Sequence, residues 1–149
     1  MTNIINMNKD FDKWNELKKL IHNEKIPPFH RECEVWWCSL GVNIGFEEDG
    51  KNKLFERPVL IFRKFNKNMF WGLPLTKTQR VGKFYFSFEL KKQQSSVILS
   101  QLRIFSSKRL IRRMGRLNNL EFKDLEEKVL MIINDTDPLR GPRVPFGNI

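Results

Sequence analysis

The stretch "RPVLIFRKFNKNMFWGLPLT" (Arg57–Thr76) decides the fold class. Two runs rich in aliphatic and aromatic residues, 57–65 and 69–76, flank the short polar turn Asn66-Lys67-Asn68. That pattern reads as an antiparallel hairpin. A turn about Lys67 sets Arg57 across from Thr76 or Lys77, with opposed side chains roughly 5 Å apart. A slip of one residue would change the face. A strand that reads as buried therefore begins with an arginine, and the loop before it carries the consecutive acids Glu47, Glu48 and Asp49.

Working outward, the alternation continues. "EVWWCSL" from Glu34 is a strand, and "KFYFSFEL" (83–90) sets Phe84, Phe86, Phe88 and Leu90 on one face, with Lys83, Tyr85, Ser87 and Glu89 on the other. The three phenylalanines read as core. "SSVILSQLRIF" (95–105) is a fifth strand, and "SKRLIRRM" (107–114) reads as a short helical turn. Phe11, Trp14, Leu17 and Ile21 recur at helical spacing over 10–24, and Ile26-Pro27-Pro28 stops that helix. A last helix opens with Asn118 as N-cap and Glu121 as its partner. Its apolar residues Phe122, Leu125, Val129, Ile132 and Ile133 share the helical period.

Short strands at this spacing predict a mainly β, α+β fold: a small antiparallel β-barrel with a C-terminal helix and an extra N-terminal amphipathic helix. The expected organisation is a helical extension over 1–30, a barrel domain over 31–134 and a flexible tail over 135–149, rich in proline and glycine. A chain of 149 residues fits one domain. It has no apolar run of the roughly 18 residues that span a bilayer. "MTNIINMNKDFDKW" lacks the pattern of a signal peptide, so a cytoplasmic protein with no membrane partner is expected. Cys33 and Cys38 are separated by an odd number along a strand, which puts them on opposite faces as buried reduced thiols. His22 and His30 lack ligand spacing, so neither a metal nor another cofactor is expected.

The net charge of +10 favours a polyanionic partner. From Arg103 to Arg116, both included, there are six Lys/Arg and no acid. Lys108, Arg109, Arg112 and Arg113 are the candidate phosphate contacts of that run.

The order of motifs then becomes specific. "EVWWCSLGVNIGFEEDGKNKLFERPVLIF", "GLPLT", "SSVILSQLRIFSSKRLIRRMGRL" and a terminal helix together resemble the MazF/PemK toxins of type II toxin–antitoxin modules over about residues 31–134. The resemblance implies an SH3-like barrel, a homodimer, metal-independent cleavage of single-stranded RNA (mRNA) at short sequences, and neutralisation by a cognate antitoxin. It maps the arginine of the Arg-Pro motif to Arg57 and the threonine closing the next strand to Thr76. The loop acid becomes Glu47 or Glu48, most naturally Glu47, and the Gln-x-Arg motif becomes Gln101 and Arg103. This chain departs from the common pattern at Cys33, where glycine is frequent, at Ser100, where an acid is frequent, and at Phe46, where some members carry histidine.

RNA breaks when the ribose 2′-OH attacks the adjacent phosphorus, leaving a 2′,3′-cyclic phosphate and a 5′-OH. A guanidinium suits the charged phosphorane because its fork matches two oxygens. It makes a poor base because it stays protonated. The expected roles are charge stabilisation by Arg57, a phosphate contact by the Thr76 hydroxyl and proton abstraction by Glu47. Lys77 stands beside them, and Tyr85 and Phe46 are the candidate rings for stacking on RNA bases. The competing readings are a gyrase-binding toxin of the CcdB type and a catalytically decayed RNA-binding barrel. An acidic antitoxin segment is expected from the charge of the chain.

Overall fold

The predicted hairpin forms between β2 (Glu56–Lys64) and β3 (Met69–Thr76) in a computed structural model that describes residues 8–134. Its register is shifted by a bulge. Near the turn Arg63 faces Trp71, but Ile61 faces Gly72, so Phe62 is the extra residue. Continuing the shifted register through Val59 and Pro74 places Arg57 opposite Thr76, not Lys77. β1 (Glu34–Ser39) pairs with the other side of β2, with Cys38 opposite Arg57.

β4 (Tyr85–Leu90) and β5 (Gln93–Ile98) form a second hairpin, and β5 joins the end of β3 through Leu75–Val97 and Thr76–Ser96. The strand expected over 95–105 is broken in two. A 3₁₀ turn at Leu99–Gln101 separates β5 from β6 (Arg103–Ser106), which rejoins β3 at Met69–Gly72. The break lies beside Leu73 and Pro74, and a proline offers no N–H for a ladder bond. The helical turn expected at 107–114 is mostly strand. Only Ser107–Arg109 is 3₁₀, and β7 (Leu110–Arg116) pairs with β1. Tertiary pairing wins there because β1 would otherwise leave a row of unpaired backbone groups.

The strand order β4-β5-β3-β2-β1-β7, with β6 on β3, curls into an antiparallel half-barrel. The curl brings its outer strands together: a Cβ on Gly115 of β7 would lie 2.7 Å from Leu90 Cδ1 of β4. One face packs Val35, Leu60, Leu73, Val97 and Leu117 against Phe122, Leu125 and Val129 of α2 (Asn119–Asn134). Asn118 and Glu121 exchange the two bonds of a capping box at its start. The other face packs Trp36, Val59, Ile61, Phe70 and Phe105. Phe88 and Leu90 are core and Phe86 packs against it, but Phe84 is 38% exposed, with the Lys83 ammonium 5.2 Å from its ring. Phe84 precedes β4, where the pleat that buries its neighbours has not begun.

Cys33 and Cys38 belong to the two opposite faces and are free and buried. Burial pushes the Cys38 thiol up to about 12, and it also raises that of Cys33. His30 is buried against Phe70, with its ring nitrogens near Pro28 O and Ser107 Oγ.

α1 (Phe11–Glu24) is capped by the Asp10 carboxylate, which accepts from Lys13 N. Of its apolar stripe, Trp14 and Ile21 are buried. The Trp14 indole packs against Gly41, whose φ of +83° suits glycine and where a Cβ would sit 2.1 Å from Trp14 Cε2. No helix of the described residues is long and apolar enough to cross a membrane. The tail expected to be flexible, 135–149, lies outside the described residues.

Candidate active site

Arg57 stands second in β2, at the end of the sheet where the β1–β2 loop returns. Its side chain is 15% exposed, and three different groups hold its guanidinium. Nε donates to Asp49 O at 2.6 Å, Nη1 donates to Leu75 O at 2.9 Å, and Nη2 meets Glu48 Oε2 at 2.9 Å. Two main-chain carbonyls from different elements therefore fix the plane of the fork, and one carboxylate closes its end. Thr76 follows Leu75 and is half-buried, with Oγ1 accepting from Thr78 N at 3.3 Å. Arg57, Thr76 and Lys77 line one cleft of ≈ 250 Å³, together with Trp37, Lys51 and Glu56.

The loop carboxylate on Arg57 is Glu48. Glu47, expected there from the spacing to Gly45, is exposed. The loop's own bonds explain the difference: Asn43 N donates to Asp49 Oδ1 at 2.6 Å, Asn43 Nδ2 donates to Glu48 O at 2.8 Å, and Glu47 N donates to Ile44 O at 3.1 Å. This folds 43–49 into a compact turn that sends successive side chains in different directions. Gln101, on the 3₁₀ turn that breaks the predicted strand, clasps the same loop. Its Oε1 accepts from Glu48 N at 2.7 Å and its Nε2 donates to Phe46 O at 3.2 Å. A second cleft of ≈ 530 Å³ opens beyond the loop, lined by Phe46, Glu47, Glu48, Ser100, Gln101 and Arg103. The Glu48–Arg57 pair bridges the two clefts. Phe46 is 95% exposed, and the Arg103 guanidinium lies 4.7 Å from the Phe105 ring centroid.

The basic run is not a free cationic strip. Lys108 Nζ donates to His22 O at 2.6 Å. Arg109 Nη1 reaches Ser39 O and Leu40 O, and its guanidinium lies over the Trp14 ring. Burial lowers the proton affinity of Arg109, and the nearby Arg103 cation lowers it further. Arg112 pairs with both oxygens of Glu56, and Arg113 Nε meets Glu34 Oε2 at 2.5 Å. The run lacks acids in sequence, but the β1–β7 pairing carries it to acids at the ends of β1 and β2. Tyr85 is half-buried, with its carbonyl held by Lys128 Nζ at 2.7 Å, away from both clefts' lining. Among the described residues no three His, Cys, Asp or Glu side chains are grouped to hold a metal.

The profile of the PemK-like, MazF-like toxin family of type II toxin–antitoxin systems matches residues 31–133, the segment that carries Arg57, Thr76 and the acidic loop. The chain belongs to this family. Its fold agrees with that of solved MazF proteins. The MazF of Deinococcus radiodurans superposes with a TM-score of 0.59 at 12% identity, over 72% of this chain and 98% of that one. A mycobacterial endoribonuclease in complex with its cognate antitoxin gives 0.54 at 13% identity, over 76% and 100%. The Mycobacterium tuberculosis toxin MazF-mt6 gives 0.53 at 18% identity, over 68% and 96%. No curated protein sequence matches significantly. α1 and Lys9 lie before the matched segment. Sequence reasoning missed Lys9, because a lone lysine before a helix gives no sign of what it will touch. It also missed the structural task of Gln101, whose reach to the loop depends on the 3₁₀ turn.

Proposed function

We propose that this toxin is an endoribonuclease that cleaves single-stranded RNA at Arg57, in the cleft that also contains Thr76 and Lys77. The observation that carries the reading is the preorganised guanidinium. It is nearly buried, aligned by the carbonyls of Asp49 and Leu75, and opposed by a loop carboxylate. A fixed cation of this kind is suited to charge that develops in a transition state, because it needs no reorganisation at that moment. Of the five N–H donors of a guanidinium, the three described contacts use one each. Two remain for phosphate oxygens, and a third is released when a phosphate takes the place of Glu48.

That exchange gives the carboxylate a task. Displaced from Nη2 by the incoming phosphate, Glu48 accepts the 2′-OH proton as the 2′-oxygen bonds to phosphorus. The P–O5′ bond breaks, the 5′-oxygen takes up a proton from water, and the product ends in a 2′,3′-cyclic phosphate. Arg57 balances the negative phosphorane and the Thr76 hydroxyl binds one of its oxygens. Glu47, at the rim of the larger cleft, is the alternative base. Phe46 offers an exposed ring to a base on that side, and Arg103 and Lys77 offer charge.

We also propose a homodimer, the commonest symmetric assembly. An acidic cognate antitoxin would then bind the chain of charge +10 in competition with RNA. A mycobacterial relative was solved with its cognate antitoxin, which supports that partner. The deciding experiment incubates a defined RNA with pure protein and analyses the new ends. Cyclic phosphate and 5′-hydroxyl ends from the wild type, and their loss in Arg57→Ala, are expected. Cleavage by Arg57→Ala within about threefold of wild type, a difference under 1 kcal/mol in barrier, would remove Arg57 from the chemistry.

A further inference from the structure

We propose that Lys9, outside the family segment, is a positioning residue for the Arg57 site: it clasps the acidic loop so that Glu48, and not Asp49, faces the guanidinium. The proposal rests on the reading of Arg57 given above.

The Lys9 side chain is 10% exposed, unusual for a lysine. Its ammonium has three donors, and three loop acceptors converge on it: the carbonyl of Asn43, Gly45 O at 2.9 Å and Asp49 Oδ2 at 3.1 Å. Asp49 relays the contact. Its second carboxylate oxygen accepts from Asn43 N, and its carbonyl accepts from Arg57 Nε at 2.6 Å. A single residue therefore separates Lys9 from Arg57. With its carboxylate taken by Lys9 and by the loop backbone, Asp49 offers Arg57 only a neutral carbonyl. The carboxylate that reaches Nη2 is then Glu48.

The clasp is anchored. Lys9 leads into α1 through the cap residue Asp10, and α1 is fixed by Trp14, which lies on Gly41 and packs 5.7 Å from the Phe55 ring. Gly41 and Phe55 close the neck of the same loop, where Leu40 N and Gly41 N both donate to Phe55 O. The helix therefore holds the loop at its neck while Lys9 holds it at its tip. Gln101 and Arg57 hold the same loop through other atoms: Gln101 through Glu48 N and Phe46 O, and Arg57 through Asp49 O. Removing Lys9 releases Asp49 to swing toward Arg57 and compete with Glu48, an error of the scale to which positioned chemistry is sensitive.

The test uses the full chain and three variants. Lys9→Met keeps the aliphatic stem and removes the ammonium, Lys9→Arg keeps the charge, and Lys18→Met removes an equal charge from an exposed residue of α1 that does not touch the loop. Hydrogen exchange of amides 43–50 reads the loop. Single-turnover cleavage and RNA affinity, measured separately, read the site. Lys9→Met is expected to speed loop exchange by about tenfold and to slow single-turnover cleavage by roughly tenfold, with RNA affinity within about twofold. Lys9→Arg should recover part of both, and Lys18→Met should match wild type. Wild-type loop exchange in Lys9→Met overturns the proposal, as does a cleavage loss explained wholly by weaker RNA binding. If the wild-type chain cuts no RNA, the endoribonuclease reading fails, and the exchange result alone decides whether Lys9 holds the loop.

Discussion

Glu48 Oε2 lies 2.9 Å from Arg57 Nη2, whereas Glu47, one residue earlier, faces solvent. A general base has to reach the proton next to the phosphate that the cation binds. Glu48→Gln is therefore expected to lower the single-turnover rate by about 10²-fold, within the usual worth of a positioned base. RNA affinity should be equal or higher, because the competitor for Arg57 has lost its charge. Glu47→Gln should stay within about threefold of wild type. The reverse order of the two variants would move the base to Glu47 and leave Glu48 as a ground-state partner of Arg57.

The Arg57 cleft predicts a graded series. Arg57→Ala should lose about 10²–10³ in single-turnover rate. Arg57→Lys should remain well below wild type, since an ammonium cannot span Asp49 O, Leu75 O and a phosphate in one plane. Thr76→Ala should lose less than Arg57→Ala, because a neutral hydroxyl makes the weaker hydrogen bond. Equal losses for Arg57→Lys and Thr76→Ala would argue that the fork geometry contributes nothing.

Salt dependence separates free cations from committed ones. Lys77→Ala and Arg103→Ala should each reduce the slope of log affinity against log salt by roughly 0.7. Arg112→Ala and Arg113→Ala should change it less, because Glu56 and Glu34 already partner those side chains. Filter binding to one RNA across a salt series is sufficient, and a larger change for the second pair would restore the basic run as the RNA contact.

The α1 contact predicts coupled stability effects. Trp14→Ala should cost about 3–5 kcal/mol. Gly41→Ala should also be strongly destabilising, since its Cβ would collide with the indole and alanine dislikes a φ of +83°. In the double variant the collision is gone, so the two losses should sum to less than their separate values. Urea unfolding of the four proteins measures this, and strict additivity would show that the indole does not restrict residue 41.

The Cys38 thiol predicts alkaline sensitivity. Its folded value is raised from 9.0 to about 12 by burial, so the folded chain holds the proton more tightly than the unfolded chain. The stability this gives is complete below pH 9 and is lost as pH rises toward 12. Cys38→Ala should flatten that part of the stability profile, and the native thiol should resist alkylation until the chain unfolds.

Much of this architecture was legible in the residues. The turn about Lys67 narrowed the partner of Arg57 to Thr76 or Lys77, with the bulge at Phe62 deciding between them, and the opposite faces of Cys33 and Cys38 followed from strand alternation. The errors share a cause. β7 read as helix and 95–105 as one strand because the deciding partners, the open side of β1 and the N–H missing at Pro74, are distant in sequence. Which loop acid contacts Arg57 was a separate matter: spacing carries no information about the hydrogen bonds inside a loop that turn Glu48 toward the guanidinium. The engaged state of Lys108, Arg109, Arg112 and Arg113 was hidden for a similar reason: their partners are 56 or more residues away.

The docking of α1 also bears on the order in which the chain matures. The helix leaves the ribosome before the barrel strands, yet it rests on Gly41, Phe55 and Arg109. A helix of 14 residues is marginal in water by itself. It must wait until the segment around Arg109 has emerged and β7 has paired. The Lys9 contacts to the loop therefore close late, and the proposed Arg57 site is completed only after the strands that α1 rests on have paired.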